Sequence, residues 1–147
     1  MSDLTIRPYR EEDEAAVAAL WREIFPAAPA HNVPEADIWR KLSVQRELFV
    51  VAELDGEVAG TVMAGFDGHR GWVYYLAVSP RHRKHGIGKA LMDRVEADLV
   101  AMGCPKLNLQ VRADNIGAVA FYRKLGFDVE ERVSMGKRLP AAEDETP

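Results

Sequence analysis

Tyr74-Tyr75-Leu76-Ala77-Val78-Ser79-Pro80-Arg81-His82-Arg83-Lys84-His85-Gly86-Ile87-Gly88-Lys89-Ala90-Leu91 is the stretch from which the fold can be read. An apolar run ends at Pro80, a basic loop follows, Gly86 and Gly88 flank a single residue, and an amphipathic pattern begins at once. This order of signals predicts strand, loop and helix. A helix N-terminus leaves its first backbone N–H groups unpaired and carries partial positive charge. Two residues without a Cβ let an anion approach those donors closely. Arg81, Arg83, Lys84 and Lys89 add formal charge around the same point. The stretch therefore reads as a phosphate or pyrophosphate site, with an ordinary glycine-rich helix start as the alternative. Two familiar phosphate motifs are excluded. The P-loop needs Gly where Arg83 stands and Ser or Thr where Ala90 stands; the dinucleotide fingerprint needs Gly where Leu91 stands.

Working outward, Leu4, Ile6 and Pro8 alternate with polar residues and predict a short edge strand. From Glu11 the period becomes helical, with Ala15, Val17, Leu20, Trp21 and Ile24 on one stripe and Pro26 and Pro29 as the stop. His31 to Pro34 reads as loop and Glu35 to Leu42 as a second, short helix. Phe49 to Leu54 and Val58 to Phe66 are strands joined by Asp55-Gly56, a strong hairpin signal. A turn over Asp67 to Gly71 leads to a strand over Trp72 to Val78. The helix after Gly86 carries Ile87, Leu91, Val95, Leu99 and Met102 on one side and stops at Gly103 and Pro105. Lys106 to Val111 predicts a strand, Asp114 and Asn115 cap a helix through Leu125, and Gly126 ends it. Phe127 to Glu131 and Ser134 to Leu139 read as two last strands. The order is β-α-α-β-β-β-α-β-α-β-β. It calls for an α/β fold with a mixed, mostly antiparallel sheet of about seven strands and helices on both faces.

Composition narrows the class. A chain of 147 residues with 48% apolar residues suits one globular domain, residues 1–139, followed by an acidic, flexible tail over 140–147. A formal charge of −4 argues against nucleic acid as the main partner. The single cysteine, Cys104, excludes an internal disulfide and fits a reducing compartment. Neither a membrane span nor a signal-peptide core is present, so a cytoplasmic protein is expected. His82 and His85 are the histidines at short metal-ligand spacing, and no Cys or carboxylate beside them completes a set, so no metal is expected.

The spacing Arg83-x-x-Gly86-x-Gly88 resembles the Arg/Gln-x-x-Gly-x-Gly/Ala signature of the GNAT acetyltransferases. Val111-Arg112-Ala113-Asp114-Asn115, with Ala118, Phe121-Tyr122 and Leu125-Gly126-Phe127, is similar to the segment after the family's fifth strand. The element order is also that of the GNAT fold, so the resemblance spans nearly the whole chain. Asp67 to Gly71 and Gly103 to Lys106 look like small stand-alone bacterial members. The resemblance implies acetyl-CoA as acetyl donor, its pyrophosphate held by Arg83, Lys84, His85, Gly86, Ile87, Gly88 and Lys89. It implies that the pantetheine arm pairs with the backbone of Leu76, Ala77 and Val78, where the fourth and fifth strands splay apart. It further implies that Asn115 contacts the cofactor and that Tyr122 is the general acid.

Chemistry makes those roles intelligible. Acetyl transfer from a thioester to an amine needs a held donor, a neutral amine, oxyanion stabilisation and a proton for the departing thiolate. A phenol with pKa about 10 is protonated at neutral pH and close in acidity to an alkyl thiol. The plainer alternative for Tyr122 is packing beside Phe121. No base is named: Gln110 stands where ribosomal-protein acetyltransferases of the superfamily often have Glu, and the strand 72–78 holds no carboxylate or histidine. The remaining side chains are read modestly. His69 is a surface residue, His31 lies where the family forms part of its acceptor site, and Cys104 is incidental. Trp21, Phe25 and Trp39 are core, with one or two available to the acceptor pocket. Two functions stay open, an N-acetyltransferase acting on an amine and a non-catalytic acyl-CoA-binding module. The acceptor, a small molecule or a protein amine, and the assembly, with a homodimer among the options, are not set by the sequence.

Overall fold

In the computed structural model, which describes residues 3–25 and 33–140, the predicted apolar runs become a five-stranded sheet. Its strands are β1 (Leu4–Pro8), β2 (Phe49–Leu54), β3 (Glu57–Phe66), β4 (Gly71–Val78) and β5 (Leu107–Leu109), in spatial order β1-β2-β3-β4-β5. The first four pair antiparallel with their neighbours, and β4 pairs parallel with β5. Asp55 and Gly56 both take positive φ, 52° and 84°, as a two-residue hairpin between right-twisted strands requires. The helices are α1 (Glu14–Ile24), α2 (Pro34–Lys41), α3 (Ile87–Ala101) and α4 (Ile116–Lys124). Glu11 to Asp13, expected as the first helical turn, form a separate 3-10 turn ahead of α1. By contact the chain divides into two compact units, residues 1–109 and 110–147.

In the first unit, alternation along β3 sets the layers. Thr61 accepts a hydrogen bond from Trp21 Nε1 of α1 at 2.9 Å, whereas a Cβ on Gly60 would lie 3.0 Å from Ile87 Cγ2 and 3.1 Å from Leu91 Cδ1 of α3. Adjacent residues of a strand face opposite ways, so α1 and α3 cover opposite faces of the sheet. Gly60 is required by this close approach, because its Cβ would also sit 2.9 Å from the Ala77 carbonyl. On one face Trp21, Phe49, Val17 and Ile38 form a buried cluster with Tyr9, whose ring stacks on Phe49 at 4.5 Å. On the other, α3 buries Ile87, Leu91, Met92, Val95 and Leu99, while Met102 is exposed. Arg7 makes a two-pronged pair with Asp13, at 2.8 and 2.9 Å, which ties β1 to the turn before α1. Among the described residues no helix is long and apolar enough to cross a membrane.

In the second unit, Asn115 caps α4 by accepting from the Ala118 N–H at 3.1 Å. The helix ends in a Schellman motif: Phe127 N–H bonds Tyr122 O and Gly126 N–H bonds Arg123 O, both at 3.0 Å. The Phe127 ring closes edge-on to Tyr122 at 5.7 Å, which supplies the apolar contact of that motif. Two sequence expectations are corrected here. Phe127 to Glu131 and Ser134 to Leu139 are not strands, so the sheet has five strands and not about seven. Alternating polarity needs a partner edge to become a ladder, and among the described residues no ladder includes this segment. Val129, Val133, Met135 and Leu139 are exposed. The fifth strand is also shorter than the expected Lys106 to Val111. The expected stop of α1 at Pro26 and Pro29, His31, and the tail beyond Pro140 lie outside the described residues.

Candidate functional site

The register of β4 changes in its middle. Thr61 pairs with Ala77 and Met63 with Tyr74, so one residue of β3 stands opposite two of β4. That count defines a β-bulge on β4. Tyr75 takes φ +54°, an outlier for an aromatic residue, and two hydrogen bonds hold it. Thr61 Oγ1 donates to Tyr75 O at 2.9 Å while accepting from Trp21, and Tyr75 Oη donates to Asp37 Oδ2 of α2 at 2.6 Å. The Tyr75 ring stacks on Trp21 with centroids 3.9 Å apart. Burial first, then the bond to Asp37, holds the Tyr75 phenol above its usual pKa, so it remains a donor. Pairing with β5 stops at Val73, one residue before the bulged segment. From Tyr74 to Val78, β4 therefore has β3 on one side and no paired β5 on the other.

That stretch of β4 runs directly into the basic loop. Ser79 N–H bonds Ala59 O at 2.8 Å, and Pro80 to His82 make one 3-10 turn. Gly86 is the N-cap of α3 at φ 71° and ψ 17°, a left-handed conformation in which glycine carries no Cβ strain. A Cβ there would meet nothing within 4 Å, so the backbone angle, and not crowding, demands glycine. Among the described residues the N–H groups of Gly86, Ile87, Gly88 and Lys89 have no protein acceptor. Arg83, Lys84 and His85 are exposed around them. Lys89 is exposed and bonds Asp93 at 2.7 Å, which moderates its charge. His82 is half-buried, with Nε2 at 3.5 Å from Glu57 Oε2.

Beside the bulge lies a cleft of about 290 Å³ lined by Asp37, Arg40 and Lys41 of α2, Met63 of β3, and Tyr74 and Tyr75 of β4. Consecutive strand residues ordinarily face apart; the bulge lets Tyr74 and Tyr75 share one cleft. Trp21, Phe25 and Trp39 do not line it. Trp21 is core, Phe25 meets the Tyr75 ring edge-on at 5.5 Å, and Trp39 Nε1 donates to Glu14.

The structure thus joins Leu76, Ala77, Val78 and Arg83 to Lys89 in one strand–turn–helix piece of the first unit. Asn115 and Tyr122 stand two turns apart on α4 in the second unit. The Tyr122 ring meets Phe121 and Phe127 edge-on at 5.2 and 5.7 Å, and burial pushes its phenol up to about 12. Its hydroxyl has no hydrogen-bond partner among the described residues. Gln110 donates to Ser134 Oγ at 2.6 Å. Among the described residues no group of three or more His, Cys, Asp or Glu is gathered to hold a metal. The sequence reading missed Thr61, Asp37 and Lys41. Lys41 follows Ile38 by three, so helical spacing alone places it on the buried face of α2. Nothing local marks Thr61, whose role depends on Trp21.

Comparison with known proteins gives a consistent picture. A family model described as acetyltransferase (GNAT) family matches residues 14–127, a span that crosses the division between the two units. An acetyltransferase of Pectobacterium atrosepticum is 46% identical over 136 residues, covering 92% of this chain and 96% of that one. Among solved structures, Ard1 from Thermoplasma volcanium superposes with a TM-score of 0.76 at 26% identity, covering 87% of this chain and 84% of that one. An aminoglycoside N-acetyltransferase in complex with CoA superposes at 0.78, covering 94% and 96%; at 21% identity that likeness concerns the fold.

Proposed function

This chain belongs to the GNAT acetyltransferase family and is an acetyl-CoA-dependent N-acetyltransferase, and we propose that it passes the acetyl group directly to a primary amine held beside the donor in a ternary complex. The observation that carries this reading is the bulged β4, whose stretch from Tyr74 to Val78 has no paired β5 and leads into a helix N-terminus with four N–H groups that have no acceptor among the described residues. Acetyl-CoA, when bound, supplies an activated acetyl thioester and a thiol leaving group. The residues present fit both ends of it. The α3 N–H groups of Gly86 to Lys89, with the charges of Arg83, Lys84 and Lys89, suit a pyrophosphate. The peptide groups of Leu76, Ala77 and Val78 suit the amides of a pantetheine arm, as an added strand would.

Proton handling falls to few groups. Tyr122 Oη holds a proton at any physiological pH and is proposed to release it to the departing sulfur. Asn115 spends its Oδ1 on the helix cap and keeps its amide N–H groups for the cofactor. Neither β4 nor Gln110 offers a base, so the amine enters the reaction already neutral or loses its proton to water. The family match across residue 109 supports counting residues 1–139 as one catalytic domain.

Initial-rate kinetics with acetyl-CoA and an amine panel, following free thiol, test the proposal. Intersecting double-reciprocal lines are expected. Parallel lines, or an isolable acetylated enzyme competent for transfer, would refute direct attack.

A further inference from the structure

The cleft between α2 and the β3–β4 pair holds a buried cation that the reaction above leaves unused. Lys41 is 8% exposed, and its Nζ donates to the Ala64 carbonyl at 2.6 Å. Among the described residues no carboxylate makes an ion pair with it. Burial lowers its pKa, and Glu47 opposes that shift only through space. A lysine ammonium has three donors, so two remain after Ala64. Arg40 donates to Asp37 Oδ1 at 2.7 Å, so the lone acidic group of the lining is already engaged by a cation and by the Tyr75 hydroxyl. Asp37 is thus committed elsewhere, and no ion pair joins it to Lys41.

A buried ammonium with no carboxylate in contact is unfavourable, and an anion entering the cleft would offset that penalty. Two free donors match the two oxygens of a carboxylate; a phosphate dianion calls for a fuller set of donors. A volume of about 290 Å³ lies just below the roughly 300–1,000 Å³ usual for drug-sized ligands, which suits a smaller molecule. Tyr74, Tyr75 and Met63 give the cleft an aromatic and apolar wall, and Tyr75 adjoins Leu76 on the edge assigned to the donor.

Resting on the acetyl-transfer reading, we propose that the acceptor is a small amine of amino-acid size bearing a carboxylate, and that Lys41 is the residue that holds this carboxylate. The Lys41 ammonium disfavours an acceptor that presents a second cation in place of the carboxylate.

The test compares L-amino acids with their own amides as acceptors for the full-length protein, with acetyl-CoA saturating. Wild type should prefer the acid over the amide by roughly ten- to a hundred-fold in kcat/KM, expressed mainly in KM, as a charged hydrogen bond is worth. In Lys41→Met, which keeps the aliphatic stem, that preference should fall toward one. The acetyl-CoA-induced rise in Tm should persist, which separates loss of selection from loss of fold. Should Lys41→Met not fold, the wild-type comparison of acid and amide decides alone. Equal use of acid and amide by wild type overturns the carboxylate inference and leaves acetyl transfer standing. Acetyl-CoA binding with no turnover of any amine overturns both.

Discussion

Replacing Tyr122 by Phe removes one oxygen and leaves the ring. Both edge-on contacts, to Phe121 and Phe127, survive the change. The deleted hydroxyl has no hydrogen-bond partner among the described residues, so no partner is stranded and stability should change by less than about 1 kcal/mol. If Oη supplies the proton to the departing sulfur, turnover should fall by roughly 10²- to 10⁴-fold, about 3 to 5 kcal/mol of barrier. Burial adds a second signature. A phenol near 12, two units above the usual 10, is protonated throughout the ordinary assay range, and it is a weaker acid by about 3 kcal/mol. The wild-type kcat profile should therefore show no phenol-dependent decline near pH 10; that decline should begin only toward pH 12. The assay is kcat against pH for both proteins, with melting curves and acetyl-CoA affinity as controls. Phe turnover within a few-fold of wild type would refute the acid role. A wild-type decline at pH 10 that vanishes in the variant would keep the acid and refute the burial argument.

Acetyl-CoA should raise the Tm of wild type, and Gly86→Glu should lose that rise in thermal melts, because it adds left-handed strain and a negative charge at the N-cap of α3; an equal rise would move the phosphate site elsewhere. Thr61→Val leaves the Trp21 Nε1 donor unsatisfied and frees the Tyr75 carbonyl, so denaturant melts should show a loss of about 2 to 4 kcal/mol, accompanied by a higher KM for acetyl-CoA as the bulge relaxes. Asp13→Asn strips the charge from the buried fork on Arg7 and should cost about 3 kcal/mol by urea titration. Burial alone would raise the Asp13 carboxyl, but the Arg7 fork and the Arg10 N–H outweigh it and hold its pKa low. Its stabilisation is therefore full above the unfolded pKa of about 4 and is lost as pH falls through the lower folded value, a loss that acid titration of wild type should show and that of Asp13→Asn should lack.

The elements written in local chemistry were legible from the residues. The β2–β3 hairpin follows from Asp55-Gly56, the start of α3 from Gly86, and the cap of α4 from Asn115, because each is settled by atoms a few residues apart. The proposed anion site is local in the same sense, its donors being the first turn of one helix. What lay beyond the sequence depends on distant partners. Alternation over residues 127–139 predicts strands, yet a strand exists only where another edge accepts it, and among the described residues none pairs there. The bulge at Tyr75 is set by Thr61, and Thr61 is oriented by Trp21, forty positions earlier in the chain. The cleft likewise joins Lys41 and Asp37 of a short helix to Tyr74 and Tyr75 of a central strand. Periodicity assigns each of these residues to a face of its own element; only packing of one element against another decides which faces meet, and so which charges line the cleft.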